Sequence, residues 1–274
     1  MNKRILKAMI KKDLRDIYRT NTLLTTIIVI PIVFSVLFPT LLVGSSLLFD
    51  IEKAVGNDVE KMLSMFLSQT NNEQTFTNIE QQIVYLFINY LLPSLFLLVP
   101  IITASVVAAN SFVGEKERRT LESLLFSPVS IKTLFLSKTI ASFIPSLLVS
   151  VTSFILCGII INGLGYQLFG EIIFPSSNWV ALIICLSPMV ILFTVLLNLY
   201  ISSRVKTYQE AQNMSGIIVL PVIALIVGQV SGLFLVGAKL TLIIAAVILV
   251  VNVVLLLRIT KLSDRHILFE KQIH

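Results

Sequence analysis

The residues able to do chemistry in this chain are few. The 274-residue sequence has two histidines, His266 and His274, and two cysteines, Cys157 and Cys185, both inside apolar runs. It has no H-E-x-x-H motif and no Cys/His cluster with metal-ligand spacing. A serine nucleophile needs a neighbouring base, and the apolar runs contain no Asp, Glu, Lys, Arg or His. None of the eleven glycines begins a G-x-x-x-x-G-K-[ST] phosphate loop. The expectation is a chain with no catalytic residue, no metal site and no cofactor of its own. If nucleotide energy drives it, another polypeptide must bind the nucleotide. The cysteines are expected to be small apolar fillers.

The densest chemistry lies in GEKERRTLESLLFSPVSIKTLFLSK, residues 114–138. Residues 115–126 are rich in helix formers. Leu121, Leu124 and Leu125 fall at i, i+3 and i+4, an apolar knob ringed by Glu115, Lys116, Glu117, Arg118, Arg119 and Glu122. Ser127-Pro128 ends that helix, because a residue before proline avoids the helical region, and Ser130 is placed to cap the next. Pattern alone leaves two readings open: a helix that couples a soluble partner to the membrane, or a solvated connector.

These residues are held by an apolar framework. The chain is 56% hydrophobic and 13% charged, against about 25% charged in soluble domains. That excludes an ordinary cytosolic enzyme, a disordered chain and a small disulfide scaffold. Six runs carry no charge: 22–48, 83–112, 139–161, 179–201, 214–236 and 240–257. Each meets or nearly meets the roughly 20 residues that a helix needs to cross about 30 Å of hydrocarbon. Open strands cannot cross lipid with their backbone groups unpaired. The expected fold is therefore an all-α integral membrane protein of six transmembrane helices, one transmembrane domain over residues 1–274. Residues 1–21, 113–138, 202–213 and 258–274 hold 18 of the 21 Lys and Arg, which places both termini in the cytoplasm. A nucleic-acid patch is the lesser reading of this basic balance, so no nucleic-acid partner is expected.

The flanks have patterns of their own. Leu6, Met9, Ile10, Leu14 and Ile17 form one face of a helix over 3–19, with Arg4, Lys7, Lys11 and Arg15 opposite and Asp13 spoiling the stripe. Such a helix is expected at the lipid interface. The run 22–48 is too long for a signal-peptide core. The outer segment 50–82 has a net charge of −4. Its stripe Ile51, Val55, Val59, Met62, Leu63 and Phe66 fits a small helical cap, or the segment is a linker. Thr77 and Glu80 fit a capping box ahead of the second span.

Within the spans, seven of nine prolines are potential kinks. Ser142, Ser146, Ser150, Ser153 and Cys157 form a small-residue face, read as close helix packing or as a polar wall. Asn89, Ser94 and Thr103 are candidates to line a pathway. Gly228, Gln229, Ser231, Gly232 and Gly237 interrupt the segment 214–257. If the fifth helix ends near Gly228 it is too short to span, and a re-entrant element with Gln229 and Ser231 lining a cavity would follow. Two plain spans joined by a tight turn is the rival.

The stretch 114–138 resembles the signature of ABC-2-type transporter permeases. The matching positions are Glu115, Glu117, Arg118, Thr120, Leu121, Glu122, Leu124, Leu125, Pro128 and Lys138, while Arg119 replaces the family's usual glycine. The basic elbow helix, the six spans, the loop Lys206–Gln212 and the charged tail follow the family more loosely. The resemblance implies the membrane subunit of an ATP-driven exporter in a prokaryotic plasma membrane. Residues 115–128 would form a coupling helix docked on a separate ATPase subunit, which holds ATP and Mg. A second permease copy or a paralogue would complete the pathway, lined partly by the first, second and fifth spans. The residues assigned to ATPase coupling are Glu115, Glu117, Arg118, Arg119, Thr120, Leu121, Glu122, Leu124, Leu125 and Pro128. Two other classes stand beside this one. A stand-alone channel or secondary transporter would use backbone carbonyls near Gly228–Gly232. A membrane sensor or immunity protein would use segment 50–82 as its receptor.

Overall fold

The computed structural model describes residues 3–48, 63–64, 78–114, 131–202, 204–205 and 207–262. Among them there are helices and no strand. A leading helix α1 (Lys3–Arg19) precedes six helices long and apolar enough to cross a membrane. These are α2 (Leu23–Ser46), α3 (Ile79–Gly114), α4 (Thr133–Phe169), α5 (Ser177–Ser202), α6 (Tyr208–Val230) and α7 (Ala238–Ile259). They alternate in direction. One end of the bundle gathers α1, Lys138 and Arg204, and is called the basic end below; the other is the far end. Central α3 has 83% of its most apolar window buried, against 22% for α2 and 17% for α7. The outer helices leave Leu41, Ile217, Leu220 and Val250 exposed, as expected of faces turned to an apolar solvent.

Prolines shape the helices in a regular way. The ladder widens to a π-turn at Val33–Leu37, Phe87–Leu91 and Leu182–Leu186. Each π-turn ends two residues before a proline: Pro39, Pro93 and Pro188. Proline has no N–H and its ring collides with the carbonyl four residues back. The extra residue in the turn moves that carbonyl aside without breaking the helix. A fourth π-turn, Asn110–Gly114, has no proline after it.

Helix ends differ from the apolar runs where a polar residue has found a partner. The fourth helix begins at Ile131 and runs to Phe169, through Lys138, because the lysine is buried and paired. The sixth begins at Tyr208, where Thr207 Oγ1 accepts from the Glu210 N–H at 3.2 Å. The segment Lys206–Gln212 is therefore mostly helix. Its T-x-x-E pattern is an N-cap signal in the sequence. Starting six residues earlier than the run 214–236, α6 reaches Val230 in 23 residues, about 34 Å at 1.5 Å each. The span is complete without the residues after Gly228.

The break at Gly228–Gly232 is a helix end, and residues 231–237 contain no re-entrant helix. Gly232 takes φ of 68°, its N–H bonds the Gln229 carbonyl at 3.0 Å, and the Leu233 N–H bonds the Gly228 carbonyl at 3.0 Å. This pair of bonds around a left-handed glycine is a Schellman closure. The chain then runs seven residues to α7. The second span, α3, begins at Ile79 after Asn78; Thr77 of the expected capping box lies outside the described residues, as does segment 50–77 except Leu63 and Ser64.

Two long-range bonds fix α3 against α4. At the far end Gln81 Nε2 donates to the Leu168 carbonyl at 2.9 Å. At the basic end Lys138 Nζ donates to the Ser111 carbonyl. Between them Ser142, Ser146, Ser150, Ser153 and Cys157 are buried within the chain. Ser150 and Ser187 hydroxyls meet at 2.9 Å, so this face packs α4 closely on its neighbours. Phe174 and Trp179 stack edgewise at 5.0 Å, flanked by Phe96 and Phe154. Asn162 grips the Phe174 backbone with Nδ2 to its carbonyl at 2.8 Å and Oδ1 from its N–H at 3.0 Å.

Candidate functional site

Two networks of buried polar side chains join several helices each, one at either end of the bundle. At the far end the hub is Asn178, in the first turn of α5. Its two amide hydrogens go to the Asn89 carbonyl on α3 and the Val236 carbonyl before α7, both at 2.8 Å. Its Oδ1 accepts from the Thr241 hydroxyl of α7 at 2.7 Å. The next residue, Trp179, donates Nε1–H to the Ile88 carbonyl at 2.9 Å. Gln229, in the last turn of α6, donates Nε2–H to Ser94 Oγ at 2.7 Å and accepts the Val236 N–H at 3.2 Å. Thus α3, α5, α6, α7 and the turn before α7 are tied by two amides. In an apolar surrounding each unpaired amide group would be costly, so this network fixes the far end in one arrangement.

The pathway candidates are thereby located. Ser94 and Gln229 meet each other. Asn89 joins the same cluster through its backbone carbonyl; its Nδ2 donates to Tyr85 O at 3.2 Å, and its Oδ1 is buried without a partner. Thr103 lies deeper in α3 and donates to the Val99 carbonyl of its own helix at 2.7 Å. Ser231 sits in the Schellman turn and is exposed. Asn89, Ser94, Thr103 and Gln229 are all enclosed by this chain's own helices. Asn178 and Thr241 carry most of the network and were not singled out from sequence. An Asn-Trp pair in the first turn of an apolar span was the available signal.

At the basic end a charged cluster joins three helices. Lys138 is 1% exposed and Asp13 9%. The Lys138 ammonium stands 3.8 Å from Asp13 Oδ2 and donates to the Ser111 carbonyl. Ser111 Oγ donates to the same carboxylate oxygen at 3.4 Å, and the ammonium also lies 5.9 Å from the Phe112 ring centroid. Asp13, an intrusion in the stripe of α1, thus faces inward for a reason: it neutralises a buried lysine. Ile17, one turn on, is buried on the same face. Ser111 lies in the π-turn that lacks a proline, and Lys138 takes a carbonyl of that widened ladder. Nearby, Ser215 of α6 donates to Asn198 Oδ1 of α5 at 2.7 Å.

The residues expected from the sequence to couple to an ATPase, Glu115, Glu117, Arg118, Arg119, Thr120, Leu121, Glu122, Leu124, Leu125 and Pro128, lie outside the described residues. Their points of departure and return do not: the segment 115–130 leaves from Gly114 and re-enters at Ile131, beside the Ser111–Lys138 bond. Among the described residues no three His, Cys, Asp or Glu side chains are grouped as metal ligands.

Comparison with known families adds one match. The model of the ABC-2 type transporter family fits residues 4–234, which takes in α1, the first five spans and the whole of 114–138. No curated protein and no solved structure matches the chain. Six apolar helices, a motif-bearing segment at their basic end and a family match over most of the length agree: this chain belongs to the ABC-2 type transporter family of membrane proteins, the permease component of ABC transporters.

Proposed function

We propose that the chain is the permease subunit of an ATP-driven exporter, working with a separate ATPase subunit and a second permease copy or paralogue. In this reading residues 115–128 dock on the ATPase. Leu121, Leu124 and Leu125 supply the buried anchor, since a few desolvated residues dominate most interfaces. Glu115, Glu117, Arg118 and Arg119 set charge complementarity, and Thr120, Glu122 and Pro128 shape the helix and its end. Hydrolysis belongs to the partner, which binds ATP and Mg. This chain receives the motion at 115–128 and passes it to α3 and α4. In this reading both termini lie in the cytoplasm, which the Lys and Arg bias supports, and the membrane is the prokaryotic plasma membrane that the family resemblance implies.

The observation that carries the reading is the 114–138 motif in a chain of this family, whose flanking helices α3 and α4 are bonded to each other through Ser111 and Lys138. The enclosed Asn89, Ser94, Thr103 and Gln229 would border a pathway once α6 separates from α3; Ser231 is already at the surface. Docking is tested by co-expression with the candidate ATPase. Leu125→Asp, and separately the paired reversal Glu117→Arg with Arg118→Glu, should abolish ATPase copurification while the permease still inserts. Complex formation at the wild-type level in both would overturn the coupling assignment.

A further inference from the structure

We infer that Lys138 is a positioning residue for the 115–130 segment, acting with Asp13 and Ser111 as a clamp that makes α1, α3 and α4 move as one body. The inference rests on the reading that 115–128 meets an ATPase.

The segment has two attachment points, the end of α3 and the start of α4. Ser111 lies three residues before the first, and Lys138 seven residues after the second. The ammonium bonds one attachment helix from the other, and its charge is balanced by Asp13 from a third helix. A buried lysine is costly in an apolar setting unless paired and fully bonded. The Ser111 and Asp13 contacts of Lys138 are both kept while the three helices are together. Removing either charge takes an opposite charge away from the other in a buried place, which weakens the hold between the helices. The Ser137 hydroxyl on the Met9 sulfur at 3.8 Å and the buried Ile17 give α1 a continuous seat on α4. A load on 115–130 is then shared by α1 and cannot be absorbed by the two attachment helices sliding past each other.

The test uses the complete complex in nanodiscs, with Cys157 and Cys185 replaced. Spin labels at Lys7→Cys on α1 and Leu136→Cys on α4, both exposed positions, report their separation. Four variants are compared: Lys138→Met, Asp13→Asn, Ser111→Ala and the swap Asp13→Lys with Lys138→Asp. Lys138→Met and Asp13→Asn should broaden the α1–α4 distance distribution. They should also lower nucleotide hydrolysis by the complex about 2- to 30-fold, the range of mutational effects on coupling, while the permease still inserts and the ATPase still copurifies. The swap should recover hydrolysis to within about twofold. Ser111→Ala keeps the carbonyl and loses one hydrogen bond, so it should insert normally and show the smallest effect. Narrow distances and wild-type hydrolysis in Lys138→Met and Asp13→Asn would overturn the clamp. So would a swap no better than the single variants. If those two variants do not insert, a wild-type-like Ser111→Ala together with an inactive swap overturns it as well. Should both docking variants, Leu125→Asp and the Glu117→Arg with Arg118→Glu reversal, leave the complex intact, the coupling reading fails separately, and the spin-label distances alone decide the clamp.

Discussion

Replacing Asn178 by leucine removes three interhelical hydrogen bonds at similar volume. The bonds lost are those to the Asn89 and Val236 carbonyls at 2.8 Å and from the Thr241 hydroxyl at 2.7 Å. In water-soluble cores each orphaned group would cost about 1–3 kcal/mol. Between membrane helices the measured value averages about 0.6 kcal/mol and reaches about 1.7, because the separated helices find other partners. Three such bonds give about 2 kcal/mol, and this lower figure applies here. The assay is reversible unfolding of the purified chain in mixed micelles, by titration with a denaturing detergent. Asn178→Leu should lose about 2 kcal/mol and Thr241→Val about 0.6. The double variant should be no worse than Asn178→Leu alone, because the bond they share is already gone. An Asn178→Leu chain within about 0.5 kcal/mol of wild type would refute the account of the far-end network, as would full additivity with Thr241→Val.

Further outcomes follow from close approaches and turns. A Cβ at Gly158 would stand 2.6 Å from the Phe174 ring, which Trp179 and Asn162 hold in place; Gly158→Ala should therefore destabilise by about 1–3 kcal/mol in the same unfolding assay. Gly163 on the same helix meets nothing within 4 Å, so Gly163→Ala should stabilise by up to about 1 kcal/mol; equal signs for the two would refute the packing argument. Gly232→Ala forces a side chain into φ of 68° and should cost about 1–2 kcal/mol, less for Gly232→Asn. Ser150→Leu overfills the contact with Ser187 and should lower the melting temperature far more than Ser150→Ala, which gives up one hydrogen bond.

The spans were readable because charge is expelled from lipid-crossing helices, and that rule needs no tertiary knowledge. Their ends were less readable for the same reason. Lys138 breaks the apolar run but not the helix, since Asp13, 125 positions earlier, pays its desolvation. Asp13 looked like a flaw in the stripe of α1 because its partner could not be seen from that stripe. Gln229 stood out as a polar residue in an apolar stretch, but its partners Ser94 and Val236 come from folding, and they close it off within the chain. The turn at Gly228–Gly232 was visible as a glycine cluster. Its meaning depended on where α6 begins, and that was written in Thr207 and Glu210. The prolines announced kinks, while the shared two-residue offset of Pro39, Pro93 and Pro188 from π-turns emerged only with the backbone.

The two bonds between α3 and α4 lie the same distance apart on each helix. Gln81 and Ser111 are 30 residues apart, and so are Lys138 and Leu168, about 45 Å of helix in each case. Two rods riveted at equal lengths form a closed frame. Slipping one rod by a turn would shift both rivets by about 5.4 Å and break them together, so shear must break both bonds at once. Tilt of the whole frame meets no such resistance. A push at the basic end would therefore reach the far end as a sweep of Gln81 and Leu168, with the α3–α4 pair serving as a lever.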